Sequence, residues 1–412
     1  MIFATVLVFL LWIHPLVILS LNNGLALTPP MGWSTWNVFH CDYNETDIMG
    51  IADTMVASGM LSAGYKYLNI DDCWEASSRD PVSGMLKYNE TRFPHGMLAL
   101  ADYIHSKGLL FGMYTSSGEW TCQNYPGSWQ HEYLDAALFA SWKVDFVKLD
   151  CCHQDNVKDR ATAFTRWSQA LMSQNRSILY SCDSDELILN ENNQEFPFQW
   201  APNYCNMARI WWDISDKWES TMNIIDHVAN IYYASQPGYW NDLDILTVGL
   251  DRQTLIEYTS QFSLWALISS PLIAGNDIRR MSKEVANILT NREVIAVNQD
   301  KLRRSANMIH RALDGSYEVW AKPIYHETMS QIHTVNNSPR FTPLPFHAVV
   351  LLNRRDMVSN ITLEFNDLIR DLWLHQDLGQ FIETWTATDV PGHGIRMITV
   401  LLVNATNHLY VS

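Results

Sequence analysis

VDFVKLDCC, residues 144–152, has the pattern of a buried β-strand that ends in reactive side chains. The stretch is mostly apolar, as are the strands of a parallel sheet whose two faces are both covered. Lys148 and Asp150 are two positions apart, so on a strand their side chains point to the same side. The stretch therefore predicts a parallel strand that carries an ammonium group and a carboxylate at its carboxyl end.

The same pattern recurs along the chain up to about residue 300. Each copy is an apolar run that ends in polar residues, and a helix-like segment follows it. The eight runs are residues 31–36, 65–74, 108–116, 144–152, 177–183, 207–215, 238–246 and 270–277. The helical patterns include residues 47–57, 98–106, 133–142, 161–174, 220–234 and 252–268, and residues 283–298 close the last unit. Eight strand-and-helix units predict an α/β fold, a (β/α)8 TIM barrel, with its active site at the carboxyl ends of the strands.

The pattern changes after about residue 301. Several segments alternate or run apolar with no helix between them, which predicts a C-terminal antiparallel β-sandwich domain. These segments are residues 317–322, 347–353, 358–365, 380–387 and 395–403, and residues 325–345 are expected to form a long loop. The predicted organisation is a signal peptide over 1–22, a catalytic barrel over 23–305 and a β domain over 306–412.

The first twenty residues, MIFATVLVFLLWIHPLVILS, contain no charged side chain. Such a run at an N-terminus is either a signal peptide or a membrane anchor. His14 and Pro15 interrupt it and a polar stretch follows, so we expect a cleaved signal peptide and no membrane attachment afterwards. The chain is therefore expected in the secretory pathway, either secreted or lysosomal.

N-x-S/T sequons and cysteines fit an exported chain. Glycosylation is expected at Asn44, Asn89, Asn175, Asn360 and Asn404, whereas a sixth sequon at Asn336 is the poorest because Pro339 follows its Ser338. The chain has seven cysteines, so at least one stays outside intrachain disulfides.

The composition is that of a folded, acidic protein. Of 412 residues, 47% are hydrophobic and 12% aromatic, which excludes a disordered chain. The 28 basic and 44 acidic residues give a net charge of −16, which disfavours nucleic acid as a partner. The 17 Trp and 17 Tyr residues suit core packing in most cases, and flat rings also suit the C–H faces of sugars.

Seven carboxylates lie at or near the ends of the predicted strands. They are Asp71, Asp72, Asp150, Asp183, Asp213, Asp242 and Asp244. Burying one such group is costly unless it is paired or used, so together they predict an acidic bowl that binds either a metal or a polyol. Metal sites in barrels usually recruit histidine, and His153 alone lies near a strand end, which favours the polyol.

Two of these carboxylates have surroundings that suit glycoside hydrolysis, which needs two carboxyls with different pKa values. Lys148 is expected to lower the pKa of Asp150, as a nucleophile requires. Crowding by other carboxyls, with Trp211 and Trp212 alongside, is expected to raise the pKa of Asp213. The alternative interpretation is a buried structural ion pair.

Several motifs together resemble glycoside hydrolase family 27, which holds α-galactosidases and α-N-acetylgalactosaminidases. They are MGWSTWN at 31–37, IDDCW at 70–74, VKLD at 147–150, R-x-x-x-D at 209–213 and WNDLD at 240–244. The resemblance extends over about residues 24–412. It implies a retaining exo-glycosidase that needs no metal and no organic cofactor.

The resemblance also implies residue roles. Asp150 would be the nucleophile and Asp213 the general acid/base, and Asp213 protonation would require an acidic pH optimum. Asp71 and Asp72 would hold the 4- and 6-hydroxyls of galactose, Lys148 the 3- and 4-hydroxyls, and Trp33 would wall the sugar, with Tyr114, Arg209 and Asp244 completing the pocket. The implied disulfides are Cys41–Cys73, Cys122–Cys152 and Cys182–Cys205, which leave Cys151 as a buried thiol.

The substrate is the open point. Residues 183–187, DSDEL, match neither branch of the family, but Asp183 can accept a hydrogen bond from a 2-hydroxyl and is a poor host for an N-acetyl methyl group. We therefore expect α-galactosides as substrates. The alternatives are an α-N-acetylgalactosaminidase, a non-catalytic galactose-binding protein and a metal-dependent hydrolase. The oligomeric state is open, with a homodimer among the options.

Overall fold

The structure is a computed structural model that describes residues 21–154, 160–184, 197–325, 330–335, 338–343, 346–364, 367–382 and 384–402. The expected signal peptide lies almost entirely outside the described residues. So do the sequons at Asn336 and Asn404 and most of the segment that follows Asp183.

Eight parallel strands form the first sheet, as the repeated pattern predicts. They are β1 Met31–Ser34, β2 Tyr67–Asn69, β3 Leu110–Ser116, β4 Phe146–Asp150, β5 Leu179–Cys182, β6 Met207–Arg209, β7 Trp240–Asp242 and β8 Leu272–Ala274. Neighbours in sequence pair in parallel register, and β1 also pairs with β8. A parallel bridge between Leu246, just after β7, and Ala274 of β8 joins the two ends of the sheet. The prediction of a TIM-like barrel is confirmed.

Helices connect the strands and cover the barrel. They are α1 Trp36–Phe39, α2 Glu45–Ala57, α3 Met60–Ala63, α4 Met97–Ser106, α5 Glu132–Ser141, α6 Arg160–Met172, α7 Pro197–Trp200, α8 Trp218–Val228, α9 Leu255–Ile268, α10 Lys283–Leu289 and α11 Arg292–Asn298. Residues 283–298, which close the last unit, form two helices, α10 and α11. Asn291 accepts hydrogen bonds from the backbone N–H groups of Glu293 and Val294, and this N-cap starts a new helix. The helix expected over 220–234 ends at Val228, and a short 3₁₀ turn, Tyr232–Ala234, follows it.

Helix α9 lies between the two parts of the chain. A capping box of Thr254 and Glu257 sets its N-terminus, three residues later than expected. Its last seven residues, Phe262–Ile268, are all buried. A helix that is buried on every side needs cover on every side, and α9 contacts strands of the C-terminal sheet as well as helices α8, α10 and α11 of the barrel.

The C-terminal region is antiparallel. Its strands are β9 Asn307–Arg311, β10 Tyr317–Ile324, β11 Ser330–Val335, β12 Ser338–Pro343, β13 Phe346–Asn353, β14 Ser359–Glu364, β15 Asp367–Asp371, β16 Gln376–Phe381, β17 Thr384–Val390 and β18 Ile395–Leu402. Six form one sheet in the order β16-β15-β18-β13-β10-β9, and β14 pairs with β17 in a second sheet. One face of the larger sheet, with Trp320 and Val350, joins the barrel core, whereas the other, with Val319 and Val349, packs on Leu363 of the second sheet. This arrangement is the expected sandwich.

Two expectations for this region are wrong in detail. Residues 325–345 are not a long loop, because β11 and β12 pair along their whole length as a hairpin. Residues 380–387 are not one strand, because β16 ends at Phe381 and β17 belongs to the other sheet.

Three disulfides tie the barrel loops together: Cys41–Cys73, Cys122–Cys152 and Cys182–Cys205. They are the three pairs that the resemblance implies. Cys151 is outside these bridges and is buried. A search for membrane-spanning helices finds none of sufficient length and apolarity among the described residues.

Candidate active site

Acidic side chains follow five of the eight barrel strands. Asp71 and Asp72 come after β2, Asp150 ends β4, Asp183 follows β5, Asp213 follows β6, and Asp242 and Asp244 belong to the end of β7. Because parallel strands of a barrel end at the same rim, these groups converge. Six of them line one cavity of about 870 Å³. The seventh, Asp242, does not line this cavity, so the predicted bowl has one carboxylate fewer; its Oδ1 instead accepts the backbone N–H of Asp244.

Lys148 of β4 is the first of two cations in the cavity. Its Nζ lies 3.1 Å from Asp71 Oδ2 and 3.1 Å from Asp183 Oδ2, and 5.3 Å from the centre of the Tyr114 ring. Burial by itself lowers the pKa of Lys148, but Asp71 and Asp183 outweigh it and the pKa lies well above the usual range. Lys148 is therefore a fixed positive charge that joins the rims of β2 and β5.

Arg209, the last residue of β6, is the second cation. Its Nη1 lies 3.3 Å from Asp183 Oδ2, and its Nη2 lies 2.9 Å from Asp213 Oδ1 and 3.1 Å from Asp244 Oδ2. The guanidinium is 4% exposed, so these contacts lie in a poorly solvated place where charge-assisted hydrogen bonds are strong. Arg209 holds three carboxylates from three strand ends in one cluster.

Asp150 is held by two short hydrogen bonds. The Tyr114 hydroxyl donates to Oδ2 at 2.8 Å, and the backbone N–H of Cys151 donates to Oδ1 at 2.7 Å. Burial and the neighbouring Asp183 raise the pKa of Asp150 well above its usual range, against the opposing effect of Lys148. Lys148 does lower the pKa of Asp150, as expected, but burial and Asp183 outweigh it, so the low pKa expected of a nucleophile is not found in the unliganded site.

Asp213 lies at the mouth of the cavity, and its side chain is 74% exposed. Partial loss of solvent around the carboxylate by itself raises the pKa of Asp213, but the charges of Arg209 and Lys148 outweigh this effect and the pKa is lowered. The expected upward shift of the Asp213 pKa is therefore wrong for the unliganded site. The sequence shows the crowding carboxylates but not that the Arg209 guanidinium touches this one.

The Asp71–Asp72 pair is fixed by its own backbone and by Tyr43. The Tyr43 hydroxyl donates to the carbonyl oxygens of Asp71 at 2.6 Å and Asp72 at 3.0 Å. Asp72 accepts backbone N–H groups from Cys73 at 2.7 Å and Gln123 at 2.9 Å. Burial raises the pKa of Asp72 to about 6. The two carboxylates point into the cavity in defined positions, as hydroxyl recognition requires.

The prediction that Trp33 walls the sugar is wrong. It is fully buried inside β1, its Nε1–H donates to the carbonyl oxygen of Asn276 at 2.8 Å, and its ring packs on Phe39. It does not line the cavity, whereas Trp36, three positions on and at the start of α1, does. The reason is position: Trp33 lies within the strand and Trp36 lies beyond its carboxyl end.

The remaining predicted site residues, Tyr114, Lys148, Asp183, Arg209 and Asp244, all line the cavity. Several lining residues were not predicted as site residues, among them Trp36, Val38, His40, Gln123, Leu250 and Arg252, and Trp212 also lines the cavity. Each of them lies in a segment that follows a strand, and the sequence shows this. The sequence does not show which side chains of a long loop point into the cavity.

Cys122, Asp150 and Cys152 bring three common metal-ligand atoms together. Both sulfurs, however, are joined in a disulfide and cannot bind a metal as thiolates. This cluster is therefore better described as a disulfide that supports the end of β4.

Comparison with known proteins agrees with this site. The family model described as Alpha galactosidase A matches residues 28–300. Alpha-galactosidase 2 of Arabidopsis thaliana is 40% identical over 390 residues, covering 92% of this chain and 91% of that protein. Alpha-galactosidase A of Homo sapiens is 38% identical, covering 74% of this chain and 73% of that protein. The crystal structure of alpha-galactosidase I from Mortierella vinacea superposes with a TM-score of 0.83 at 31% identity, covering 92% of this chain and 98% of that one. The chain therefore belongs to glycoside hydrolase family 27, the family of Alpha galactosidase A.

Proposed function

We propose that the protein is a retaining α-galactosidase that removes terminal α-linked galactose from oligosaccharides, glycolipids or glycoproteins. The observation that carries the proposal is the placement of Asp150 and Asp213 in one cavity with different surroundings. Asp150 is anchored by Tyr114 and the Cys151 N–H deep in the cavity, and Asp213 faces the mouth beside Arg209. A retaining glycosidase needs one carboxylate below the sugar ring and one carboxyl beside the departing oxygen.

The reaction proceeds in two displacements. In the first, a carboxylate oxygen of Asp150 bonds to the anomeric carbon, the bond from that carbon to the glycosidic oxygen breaks, and Asp213 gives its proton to that oxygen. In the second, Asp213 takes a proton from water, the water oxygen bonds to the anomeric carbon, and Asp150 leaves. Two inversions give net retention of the α configuration.

The two hydrogen bonds to Asp150 favour its charged form, against the effects of burial and Asp183. They stabilise the carboxylate before attack and after release of the sugar. Tyr114 and the Cys151 N–H therefore position the nucleophile. Arg209 donates a hydrogen bond to Asp213 and so stabilises the carboxylate that forms when Asp213 gives up its proton.

Galactose recognition is assigned to the carboxylates of the inner cavity. Asp71 and Asp72 accept the 4- and 6-hydroxyls, Lys148 donates to the 3- and 4-hydroxyls, and Arg209 and Asp244 complete the pocket. Asp183 Oδ1 is buried and has no hydrogen-bond partner among the described residues, so it is available to a 2-hydroxyl. Loss of one charge-assisted contact of this kind costs about 1.5–3 kcal/mol.

The test compares four p-nitrophenyl glycosides: α-galactoside, β-galactoside, α-glucoside and α-N-acetylgalactosaminide. We expect the first to be preferred and its initial product, followed by ¹H NMR, to be α-galactose. Asp150→Asn should abolish turnover, and Asp102→Asn, on the exposed side of α4, is the control. Preference for the N-acetylgalactosaminide, or full activity of Asp150→Asn, contradicts the proposal.

The location and maturation of the chain are part of the proposal. We assign residues 1–22 to a cleaved signal peptide, 23–305 to the barrel and 306–412 to the β domain, with passage through the secretory pathway to a secreted or lysosomal site. Asn44, Asn175 and Asn360 are exposed, which is compatible with glycosylation. N-terminal sequencing of the secreted protein tests the cleavage, and sedimentation tests whether it is a homodimer.

A further inference from the structure

The cavity is larger than one monosaccharide needs. Cavities of about 300–1,000 Å³ bury ligands of drug size, and this one measures about 870 Å³. Its inner part holds the carboxylates, Lys148 and Arg209. Its outer part has a different lining: Trp36, Val38, His40, Gln123, Trp212, Leu250 and Arg252. The outer part therefore has room for a second group beyond the galactose ring.

Trp212 lies on this outer wall, directly before Asp213 in sequence. Its neighbour Trp211 stacks on His227 of α8 with ring centres 4.2 Å apart, which anchors the segment. Trp212 is 38% exposed. Among the described residues, its ring stacks on no other ring and its indole N–H donates no hydrogen bond. A flat apolar face and a hydrogen-bond donor are thus both open to the cavity.

Arg252 supplies charge on the same wall. Its side chain is exposed, and it forms no ion pair with the residues that the structure describes. Its backbone N–H donates to Asp216 Oδ2 at 2.8 Å. In a chain of net charge −16, a guanidinium that lines a cavity without a carboxylate partner is a set of hydrogen-bond donors left for a ligand.

Asp216 fixes the two segments relative to each other. Its carboxylate is buried, and it accepts hydrogen bonds from Gln253 Nε2 at 3.0 Å and from the Tyr258 hydroxyl at 2.9 Å, besides the Arg252 N–H. The segment after β6, which carries Trp212, is thereby tied to the segment after β7, which carries Arg252. A wall that is already ordered binds a ligand without an ordering cost.

We propose that Trp212 and Arg252 form the subsite for the leaving group, and that this group is a sugar. The proposal rests on the proposed function, in which the departing oxygen lies beside Asp213. The apolar C–H face of a pyranose packs on the Trp212 ring, and its hydroxyls accept from the Trp212 N–H and the Arg252 guanidinium. A lipid needs a continuous apolar wall, and the outer lining instead alternates apolar with polar side chains.

The test uses three substrates that differ in the leaving group. Raffinose releases a sugar, p-nitrophenyl α-galactoside releases an aryl group, and α-galactosyl fluoride releases an ion too small to touch the outer wall. In Trp212→Ala we expect the ratio of kcat/KM for raffinose to kcat/KM for the fluoride to fall about tenfold. Trp212→Phe should recover part of the loss, and Arg252→Gln should lower the same ratio by a smaller factor.

The control is Trp120→Ala, because Trp120 is 45% exposed and does not line this cavity. It should leave the ratio at the wild-type value. Equal losses on raffinose and on the fluoride in both Trp212→Ala and Arg252→Gln overturn the proposal. So does an equal loss on raffinose and on the aryl substrate in Arg252→Gln, since the guanidinium would then not select the hydroxyls of a sugar. A wild-type protein that hydrolyses none of the three refutes the proposed function itself.

Discussion

At the residue scale, the Asp213 carboxylate pairs with Arg209, and its side chain is otherwise exposed. Arg209 retains Asp183 and Asp244 as partners when Asp213 is changed. Asp213→Asn is therefore a substitution that removes the proton donor while leaving the cluster around Arg209 in place.

We expect Asp213→Asn to lower kcat/KM for raffinose by about 10²–10⁴-fold, the usual contribution of a general acid. The first step on α-galactosyl fluoride should persist, because fluoride leaves without a proton. Azide needs no general base, so it should restore turnover and yield α-galactosyl azide, identified by NMR. Unchanged raffinose hydrolysis, or β-galactosyl azide as the product, would assign the role to another group.

Residue positions were partly predictable from the sequence and their pKa values were not. The alternation of Lys148 and Asp150 on β4 places both in the cavity. The same alternation does not show that the Lys148 ammonium reaches across to Asp71 and Asp183, contacts made by residues distant in sequence. Trp33 and Trp36 illustrate the same limit. The sequence shows both residues near the end of a strand, but it does not show that β1 ends between them.

At the element scale, the N-terminus of α2 combines a helix cap with a sequon. Asn44 Oδ1 accepts the backbone N–H groups of Thr46 and Asp47, and Asp47 accepts the Asn44 N–H. A glycan would be attached through Asn44 Nδ2, which the cap does not use. The cap and the expected glycan are therefore compatible.

Two variants separate the contribution of the helix cap from that of the glycan. Thr46→Ala removes the sequon and keeps the Thr46 backbone N–H that the cap uses, whereas Asn44→Ala removes both. We expect Asn44→Ala to be less stable than Thr46→Ala by about 1 kcal/mol, the usual cost of losing an N-cap. Urea unfolding of both, with mass spectrometry for the glycan, is the measurement. Equal stabilities would mean that the cap contributes nothing, and an unglycosylated wild type would refute the modification.

Element types were predictable because burial is periodic, and the errors fall where it is not. The barrel strands lie inside the expected apolar runs. The break between α10 and α11 rests on one side chain, Asn291, acting as a cap in an otherwise continuous apolar pattern. The β11 and β12 strands pair in antiparallel register within the segment expected to be a loop.

At the scale of the whole molecule, ion pairs join the barrel to the β-sandwich. Asp226 of α8 contacts Arg311 of β9 and lies 2.7 Å from Arg354, which follows β13. His393 lies 2.8 Å from Glu257 of α9 and stacks on Trp218 of α8. Because α9 packs between the barrel and the β-sandwich, unfolding of either part would expose buried α9 side chains to water. We therefore expect the two parts to unfold together.

Buried carboxyls make the stability of this molecule depend on pH. Burial raises the pKa of Asp242 to about 7 and those of Asp72 and Asp244 to about 6, from a usual 3.8. Between about pH 4 and pH 7 these three carboxyls therefore bind more protons in the folded chain than in the unfolded chain, and their contribution to the free energy of unfolding falls as pH rises. Burial lowers the pKa of His227 and His347, which offsets part of this slope. Burial lowers the pKa of Lys322 to about 7, which acts with the opposite sign, but only above pH 7.

We therefore expect the free energy of unfolding to be higher at pH 4.5 than at pH 7 by about 2–5 kcal/mol, since each unit of pKa shift is worth about 1.4 kcal/mol. Urea unfolding at several pH values measures it. Asp242→Asn should flatten the slope, because the amide carries no charge, whereas Asp102→Asn on the exposed side of α4 should not. Stability that stays constant or rises over this interval would show that these carboxyls are ionised in the folded chain.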